Sequence, residues 1–276
     1  MQPLSFSKWN PGGNTTLFFP VKAVAKAQRA TLAAEALKDQ ALAAEQAGYI
    51  DIAEHSLSMA GGEFCLNATL AFGALLARHE ERNKTDHEPG RTHTARVTVS
   101  GWPKTIFLSC TGSSATWHVS AQIPLPPIPC EDLGSGRWLI RLPGISHLLL
   151  EQAKNPLTSH ENAAQTMQEL RRRYHLEEEA CVGAIWWKKI AQALQLTPLV
   201  FVRETETLVM EQACGSGSLA LALALGKGQR MQEFALEQPS GAILHVSLNA
   251  SAQYATLAGE VRLVAEGTYW SGHHVL

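Results

Sequence analysis

Cys214 stands where a buried helix is expected to begin. It precedes Gly-Ser-Gly and then an unbroken apolar run that ends at Gly226. Small and hydroxyl-bearing residues ahead of an apolar run are typical of the N-terminus of such a helix. A thiol there lies beside unpaired backbone N–H groups and the positive end of the helix dipole, which favours the thiolate. The same N–H groups can bind a substrate carboxylate without a charged side chain.

A second segment of the same kind surrounds Cys65. When Cys65 is aligned with Cys214, which lies 149 residues later, Leu70 falls on Leu219 and further apolar and small residues coincide. We interpret the match as a tandem duplication, in which each half presents a cysteine from the start of its central helix. Two thiols that face each other across a cleft suit one reaction, the removal of a proton from one face of a carbon atom and its return to the other.

The composition is that of a globular protein with an ample core. The chain has 276 residues, of which 45% are hydrophobic and 17% charged, and its net charge of −2 argues against nucleic acid as the main partner. It contains no run of about 18 apolar residues and no basic-then-apolar leader, so we expect neither a membrane span nor a signal peptide. Five cysteines without CxxC or metal-ligand spacing suit a reducing compartment, so we expect a cytoplasmic protein without a bound metal.

The predicted elements follow the same order in both halves: strand, helix, strand, cysteine helix, strands. The first helix is predicted over residues 21–47, with Val21, Val24, Leu32 and Leu42 on its inward face. Its counterpart is predicted over residues 158–174, capped by Thr158 or Ser159. These elements predict an α+β fold made twice. Strands are predicted at about residues 4–9, 15–19, 48–53, 93–100, 104–109, 115–123, 136–142, 148–150, 182–187, 199–203, 207–210, 231–237, 242–248 and 253–270.

Four segments together resemble the diaminopimelate epimerase family. They are residues 6–14 with their Pro-Gly-Gly-Asn turn, the first cysteine on its helix, a Pro-Gly-x-x-His turn at 143–147, and Ala-Cys-Gly-Ser-Gly at 213–217. The resemblance extends over nearly the whole chain. Members of this family are amino-acid racemases and epimerases that use no pyridoxal phosphate, so the resemblance implies an isomerase that needs no cofactor.

The resemblance also implies two pseudo-symmetric domains around a closed cleft. Each would be a curved, mainly antiparallel sheet wrapped around its central helix. A proline-rich segment at residues 124–129 cannot be a central strand and is the predicted linker. We therefore predict an N-terminal domain over residues 1–129, completed by a C-terminal strand at about 264–276, and a C-terminal domain over residues 130–263. Relatives in the family are often dimers, so a homodimer is one option for this chain.

Site residues follow from the resemblance, although several have a structural alternative. One cysteine would act as thiolate base and the other as thiol acid, with the substrate held by the backbone amides that follow both cysteines and by Asn14. Asn14 could instead only supply turn geometry, and His147 could be a hydrogen-bonded core residue. Glu204 could reach an imidazole or amine, and capping is the favoured role of Glu63. Cys110, Cys130 and Cys181 are interpreted as small core residues. The candidates are Cys65 and Cys214 for catalysis, and Asn14, Leu66, Asn67, His147, Glu204, Gly215 and Ser216 for substrate binding.

Departures from the diaminopimelate epimerases bear on the substrate. Those enzymes have Cys-Gly-Asn at the first site, where this chain has Leu66 after its cysteine, and they carry an asparagine in the Pro-Gly turn segment that is lost here. Their Glu-Arg pair, nine and eight residues before the second cysteine, is replaced by Thr205 and Glu206. The arginine that would meet a distal carboxylate is absent, which disfavours diaminopimelate.

The chain resembles more closely the histidine racemases that supply D-histidine for opine-type, staphylopine-like metallophores. The shared features are Met-x-Gly-x-Glu-Phe-Cys-x-Asn-Ala-Thr at residues 59–69, Gln-Pro-x-Gly-x-Ile-Leu at 238–244, and glutamates at positions 204 and 211. This resemblance implies interconversion of L- and D-histidine. Two alternatives stay open: racemisation or epimerisation of another basic amino acid, such as 2,4-diaminobutyrate or a diaminopimelate-like substrate, and a non-catalytic amino-acid-binding relative.

Overall fold

The structure is a computed structural model, and it describes residues 3–83, 91–157, 162–226, 232–249 and 253–272. Within these ranges the chain forms sixteen strands and four α-helices. The first half contains β1 (Pro3–Pro11), β2 (Thr16–Pro20), α1 (Arg29–Lys38), β3 (Gln46–Asp51), β4 (Ser56–Met59), α2 (Leu66–Arg82), β5 (Thr92–Val99), β6 (Ile106–Ser113) and β7 (Thr116–Pro124). The second contains β8 (Cys130–Gly134), β9 (Arg137–Leu142), β10 (Ile145–Glu151), α3 (Ala163–Arg173), β11 (Cys181–Ile190), β12 (Ala193–Val202), β13 (Thr207–Met210), α4 (Gly215–Leu225), β14 (Gln232–Glu237), β15 (Ile243–Leu248) and β16 (Tyr254–Trp270).

The sense of strand pairing repeats between the halves. Along β1-β2-β3-β4-β5 the pairs are antiparallel, parallel, antiparallel and parallel, and β6 and β7 continue antiparallel. Along β9-β10-β11-β12-β14 the same four senses recur, and β15 and β16 continue antiparallel. In the first half α1 joins β2 to β3, and the cysteine helix α2 precedes β5. In the second half α3 joins β10 to β11, and the cysteine helix α4 precedes β14. The predicted α+β fold made twice is therefore confirmed.

Helices α2 and α4 lie at the centre of the two halves because α4, and α2 as far as Ala77, have no solvent-exposed face. All residues of α2 from Leu66 to Ala77 are buried, and so are those of α4 from Gly215 to Ala222. A helix without a polar face must be surrounded by other elements. Helix α2 packs against β1, β5, β6, β7 and β16, while α4 packs against β9, β10, β15 and β16. In the first half β1 also pairs with β16, so eight strands close around α2.

Strand β16 belongs to the sheets of both halves. Its residues 254–262 pair with β7, residues 255–258 also pair with β15, and residues 261–270 pair with β1. The segment between β7 and β8, residues 125–129, has no regular structure, as the predicted linker requires. The division into residues 1–129 with 264–276, and residues 130–263, stays a prediction.

The helix predicted over residues 21–47 is wrong. Two 3-10 turns come first, α1 ends at Lys38, and Gln46 already belongs to β3. Helix propensity in an Ala-rich stretch is a weak preference, and parallel pairing of β3 with β2 overrides it. Val24 and Leu32 from the predicted inward face are nevertheless buried in one apolar cluster.

Smaller differences concern short strands and helix ends. Strands β4 and β8, of four and five residues, were not predicted. Helix α3 begins at Ala163, and its predicted caps at positions 158 and 159 lie outside the described residues. No helix in the described part of the chain is long and apolar enough to cross a membrane.

Candidate active site

The N-termini of α2 and α4 meet between the halves. The backbone N–H of Gly215 donates to Asn67 Oδ1, and a Cβ atom on Gly215 would lie 2.9 Å from the Cβ of Leu66. A glycine after Cys214 is therefore what lets the two helix ends approach. Cys65 and Cys214, which cap these helices, line one shared cavity.

Each cysteine caps its helix in the same way. The sulfur accepts a hydrogen bond from the backbone N–H three residues later, at 3.3 Å for Cys65 and 3.4 Å for Cys214. The hydroxyl group four residues later, on Thr69 or Ser218, donates to the carbonyl of the cysteine at 2.7 Å. The duplication therefore extends to the hydrogen bonds that hold each sulfur at the cavity.

Hydrogen bonds join Cys65 to Glu211. The thiol of Cys65 donates to Gln46 Oε1 at 2.7 Å, and Gln46 Nε2 donates to Glu211 Oε1 at 2.7 Å. The Glu211 carboxyl also acts on Cys214, whose thiol pKa it raises after the larger effect of burial. One neutral amide thus links Cys65 to the carboxyl that influences both sulfurs.

The cavity between the sulfurs is small and acidic. Its volume is about 40 Å³. Its acidic side chains are Glu45, Glu63 and Glu211, and no lysine or arginine of the described residues lines it. A third thiol, Cys181 at the start of β11, also lines it. The lining residues are Leu37, Glu45, Gln46, Ala47, Ala60, Glu63, Phe64, Cys65, Asn67, Ile145, Cys181, Val200, Val202, Thr205, Thr207, Val209, Glu211, Cys214 and Ser216.

The helix ends alone do not favour the thiolates, contrary to the sequence prediction. Burial, followed by the nearby Glu211 carboxyl, raises the pKa of both Cys65 and Cys214 well above the usual thiol value. The backbone N–H groups of the helix ends lower the pKa of each sulfur, but by less than burial raises it. Both cysteines are therefore thiols in the closed cavity.

The acidic side chains of the cavity titrate near neutral pH. Burial raises the pKa of Glu45, Glu63 and Glu211 to about 7, and for Glu45 and Glu63 the charge of Glu211 adds to this effect. Hydrogen bonds from Cys214, Gln46 and Asn14 oppose the shift of Glu211. Carboxyls with such pKa values can both take and give protons at physiological pH.

The two candidate asparagines hold the site together. Asn67 lines the cavity, and its side chain also donates to the carbonyl of Pro11 at 3.0 Å while accepting from Gly215. The N–H of Gly215, a predicted substrate ligand, is therefore already engaged. Asn14 is not among the lining residues, and it donates to the carbonyl of Ala213 at 2.8 Å, so it fixes the residue before Cys214.

His147 contacts the cavity only through Ser216. Its Nε2 lies 3.0 Å from Ser216 Oγ, which lies 3.7 Å from the sulfur of Cys214. Burial lowers the pKa of His147 to about 3, so its ring is neutral. A Cβ on Gly183 would lie 2.3 Å from His147 Nδ1, so only glycine fits beside the ring. His147 is a buried residue that supports Ser216.

Two other candidates lie away from the cavity. Glu204 is exposed on the turn between β12 and β13, and the cavity lining contains its neighbour Thr205 instead. Leu66 is fully buried, and its side chain packs at the helix contact rather than lining the cavity. Direct substrate contacts by these residues, and by Asn14, stay predictions.

Sequence reasoning missed three residues and misjudged a fourth. Glu45 and Gln46 fell within the predicted long helix, and no motif marked them. Cys181 was interpreted as an ordinary core cysteine, although it also lines the cavity. Glu63 was given a capping role, but the sulfur of Cys65 caps α2 and the Glu63 carboxyl lies in the cavity lining. Among the described residues, no group of three or more histidine, cysteine or acidic side chains could hold a metal ion.

A known family covers almost the whole chain. The family described as "Histidine racemase CntK N-terminal domain" matches residues 3–270. The chain belongs to this family. Two similar proteins are histidine racemases from Fusobacterium nucleatum subsp. nucleatum. One is 29% identical over 276 residues, which cover 99% of this chain and 98% of the relative's length. The other is 30% identical over 272 residues, which cover 97% of both chains. A histidine racemase from Staphylococcus aureus is 25% identical over 284 residues, covering 96% of this chain and 97% of its own.

Solved structures of epimerases share the fold. A hydroxyproline epimerase from Agrobacterium vitis, with bound trans-4-hydroxy-L-proline, aligns with a TM-score of 0.62 at 10% identity, over 98% of this chain and 91% of its own. A predicted epimerase from Pseudomonas aeruginosa aligns with a TM-score of 0.64 at 13% identity, over 98% of this chain and all of its own. These likenesses confirm the epimerase-like fold that the sequence predicted.

Proposed function

We propose that the chain racemises histidine without a cofactor, by a two-base mechanism in which Cys65 and Cys214 act on opposite faces of the α-carbon. The observation that carries the proposal is the placement of both sulfurs, on the N-termini of two contacting helices, in the lining of one cavity. Membership of the histidine racemase family supports the reaction and the substrate.

Two protons move in the proposed reaction, one from the α-carbon to a sulfur and one from the opposite sulfur to the α-carbon. One cysteine, as thiolate, takes the α-proton, and the opposite thiol donates its proton to the other face of the carbanion. Backbone N–H groups at the helix ends bind the substrate carboxylate and offset the charge that develops on it. Each turnover exchanges the roles of the two sulfurs, so the reverse reaction uses the same groups.

Glu211 is the proposed source of the thiolate. Its carboxyl acts on the thiol of Cys214, and burial raises its own pKa to about 7. Transfer of the thiol proton to the Glu211 carboxylate moves a negative charge without adding one to the buried cavity. The pair therefore titrates as a unit that shares one proton.

The cleft must open to admit the substrate. A cavity of 40 Å³ holds about three water molecules, at 10–15 Å³ each, and an amino acid needs more room. Closure around the bound substrate excludes water and strengthens the hydrogen bonds and charges that act on the α-carbon.

The acidic lining supports a substrate with a neutral or cationic side chain. A distal carboxylate, as in diaminopimelate, would meet glutamates and no arginine or lysine in this lining. An unpaired buried charge typically costs about 3–5 kcal/mol, a discrimination of roughly a thousandfold. The same carboxyls could accept an ammonium group, so 2,4-diaminobutyrate is the second candidate.

The test is α-proton exchange in D₂O, followed by NMR, with a panel of L-amino acids and chiral chromatography of the products. We expect exchange and racemisation of L-histidine, weaker activity on other cationic amino acids, and none on LL-diaminopimelate. A kcat/KM for diaminopimelate, aspartate or glutamate that equals the value for histidine would overturn the assignment. Binding of histidine without exchange would instead indicate a non-catalytic relative.

A further inference from the structure

Glu63 places an unpaired carboxyl oxygen at the cavity. The residue lines the cavity, and its Oε2 atom is buried without a hydrogen-bond partner in the described part of the chain. A buried polar atom without a partner is rare in native proteins and costs free energy. Because Glu63 also lines the cavity, a substrate that enters when the cleft opens can supply the missing donor.

The fold keeps room for this carboxyl. A Cβ on Gly61 would lie 2.8 Å from Glu63 Oε2 and 2.3 Å from the Cγ1 of Val202. Glycine at position 61 therefore lets the carboxyl lie next to the end of β12. The lining includes Ala60 and Val202, which offer the oxygen no hydrogen-bond donor from their side chains.

The lining side chains that contact the reactive sulfurs already have partners. Gln46 bonds to Cys65 and Glu211, and Ser216, whose Oγ lies 3.7 Å from the sulfur of Cys214, contacts His147. Glu211 is therefore the carboxyl at the α-carbon, whereas Glu63 lies outside this hydrogen-bond chain. A substrate whose α-carbon lies between the sulfurs has its side chain against the remaining lining, which includes Glu63 with its unpaired oxygen.

We propose that Glu63 is a specificity-determining residue, whose Oε2 accepts a hydrogen bond from the imidazole N–H of the substrate. The inference rests on the proposed racemisation of histidine and adds the residue that recognises the substrate side chain. Either neutral tautomer of imidazole carries one N–H, and the protonated ring carries two, so the donor is present throughout the physiological range. The pKa of this carboxyl is about 7, close to the pKa of imidazole, and matched pKa values favour a strong hydrogen bond between the two groups.

The experiment compares L-histidine with L-3-(4-thiazolyl)alanine, whose ring has a similar size but no N–H group. The proteins are the wild type, Glu63→Met, Glu63→Gln, and Glu54→Met as matched control, since Glu54 is exposed on the turn between β3 and β4. Exchange of the α-proton in D₂O gives kcat and KM for each pair. Melting temperatures show that each variant is folded.

We expect Glu63→Met to lower kcat/KM for histidine by roughly 10- to 100-fold, mainly through KM, because a hydrogen bond to a charged group is lost. Glu63→Gln keeps one acceptor and should show a smaller loss. Thiazolylalanine should react equally with all four proteins, and wild type should prefer histidine to it.

Three results would overturn the inference. They are an unchanged kcat/KM for histidine in Glu63→Met, equal losses for both substrates, and equal use of both substrates by the wild type. The last comparison needs no variant, so it stands even if Glu63→Met does not fold. If the wild type racemises neither compound, the proposed function itself fails, and that result is distinct from the other three.

Discussion

The two cysteine sites share a backbone but differ in their proton partners. Both sulfurs accept from an N–H three residues later, and both cysteine carbonyls accept from a hydroxyl four residues later. The thiol of Cys65, however, donates to the neutral amide of Gln46, whereas the sulfur of Cys214 lies beside the Ser216 hydroxyl and has its pKa raised by burial and by the Glu211 carboxyl. Duplication thus repeated the cap, whereas the side-chain partners of the two sulfurs diverged.

The residue after each cysteine differs as well. Leu66 is a fully buried side chain, whereas Gly215 leaves the space that this leucine occupies. The contact between the helix ends is therefore asymmetric, because the leucine side chain of α2 occupies the space beside the glycine of α4. Four tests examine these differences, in order of decreasing expected effect.

Loss of either sulfur should have the largest effect, because both faces of the α-carbon need a base or an acid. We expect Cys65→Ser and Cys214→Ser each to lower racemisation by roughly 10²–10⁴-fold. Chiral chromatography of histidine measures the rate, and Cys130→Ser, at a half-buried position away from the cavity, is the control. A single variant with wild-type turnover would remove the two-base mechanism.

The difference in proton partners predicts unequal losses on the two sides. Glu211→Gln should lower kcat by roughly 100-fold, because it removes the proposed proton acceptor for Cys214. Gln46→Leu, which removes the amide at Cys65, should cost less. Glu233→Gln, at an exposed position on β14, is the control. A loss in Gln46→Leu that equals or exceeds the loss in Glu211→Gln would contradict the asymmetry.

The sequence was informative where the signal is local. A cysteine followed by small residues and an apolar run identified both central helices, and alternation identified most strands. Gln46 escaped because it lies in a strand that reaches the cavity through parallel pairing of β3 with β2. Glu204 was chosen because the resembling histidine racemases share a glutamate at this position, and the fold places it on an exposed turn.

The charge state of the thiols was mispredicted for a related reason. The helix dipole can be read from the chain, since it depends only on where a helix begins. Burial depends on how the halves close over Cys65 and Cys214, and the nearby Glu211 carboxyl adds to it. Those tertiary effects decide the pKa of each sulfur.

Glu211 should also make stability depend on pH. Its pKa is raised from 4.5 to about 7 in the folded protein, so the folded state holds this proton more tightly than the unfolded state. Its contribution to stability is complete below about pH 4.5 and is lost as the pH rises through 7. Urea unfolding of wild type and Glu211→Gln at pH 5 and pH 8 measures the effect. We expect the stability of wild type relative to the variant to fall by up to about 3 kcal/mol between these values; a constant difference would show that the carboxyl is not destabilised by burial.

The helix contact offers the smallest test. Gly215→Ala adds a Cβ that meets Leu66 Cβ and Asn67 Oδ1, each at 2.9 Å, and should destabilise the fold by about 1–3 kcal/mol. The added methyl should also separate the two sulfurs and lower activity. Denaturant unfolding and racemisation are measured together, with Ala224→Gly as a control for helix propensity at the far end of α4. Unchanged stability and activity in Gly215→Ala would show that the helix ends can move apart freely.

The pairing of the first strand with the last has a consequence for synthesis. Pro3 pairs with Trp270, so the ring of strands around α2 cannot close until Trp270 has left the ribosome. Contacts of such long sequence separation slow folding, and until they form, β1 and β7 present open edges to other chains. A nascent chain that stops after the proline-rich segment would expose the edges of both β1 and β7. Such a chain would need chaperones to avoid aggregation, and the stability of the folded protein would not change this.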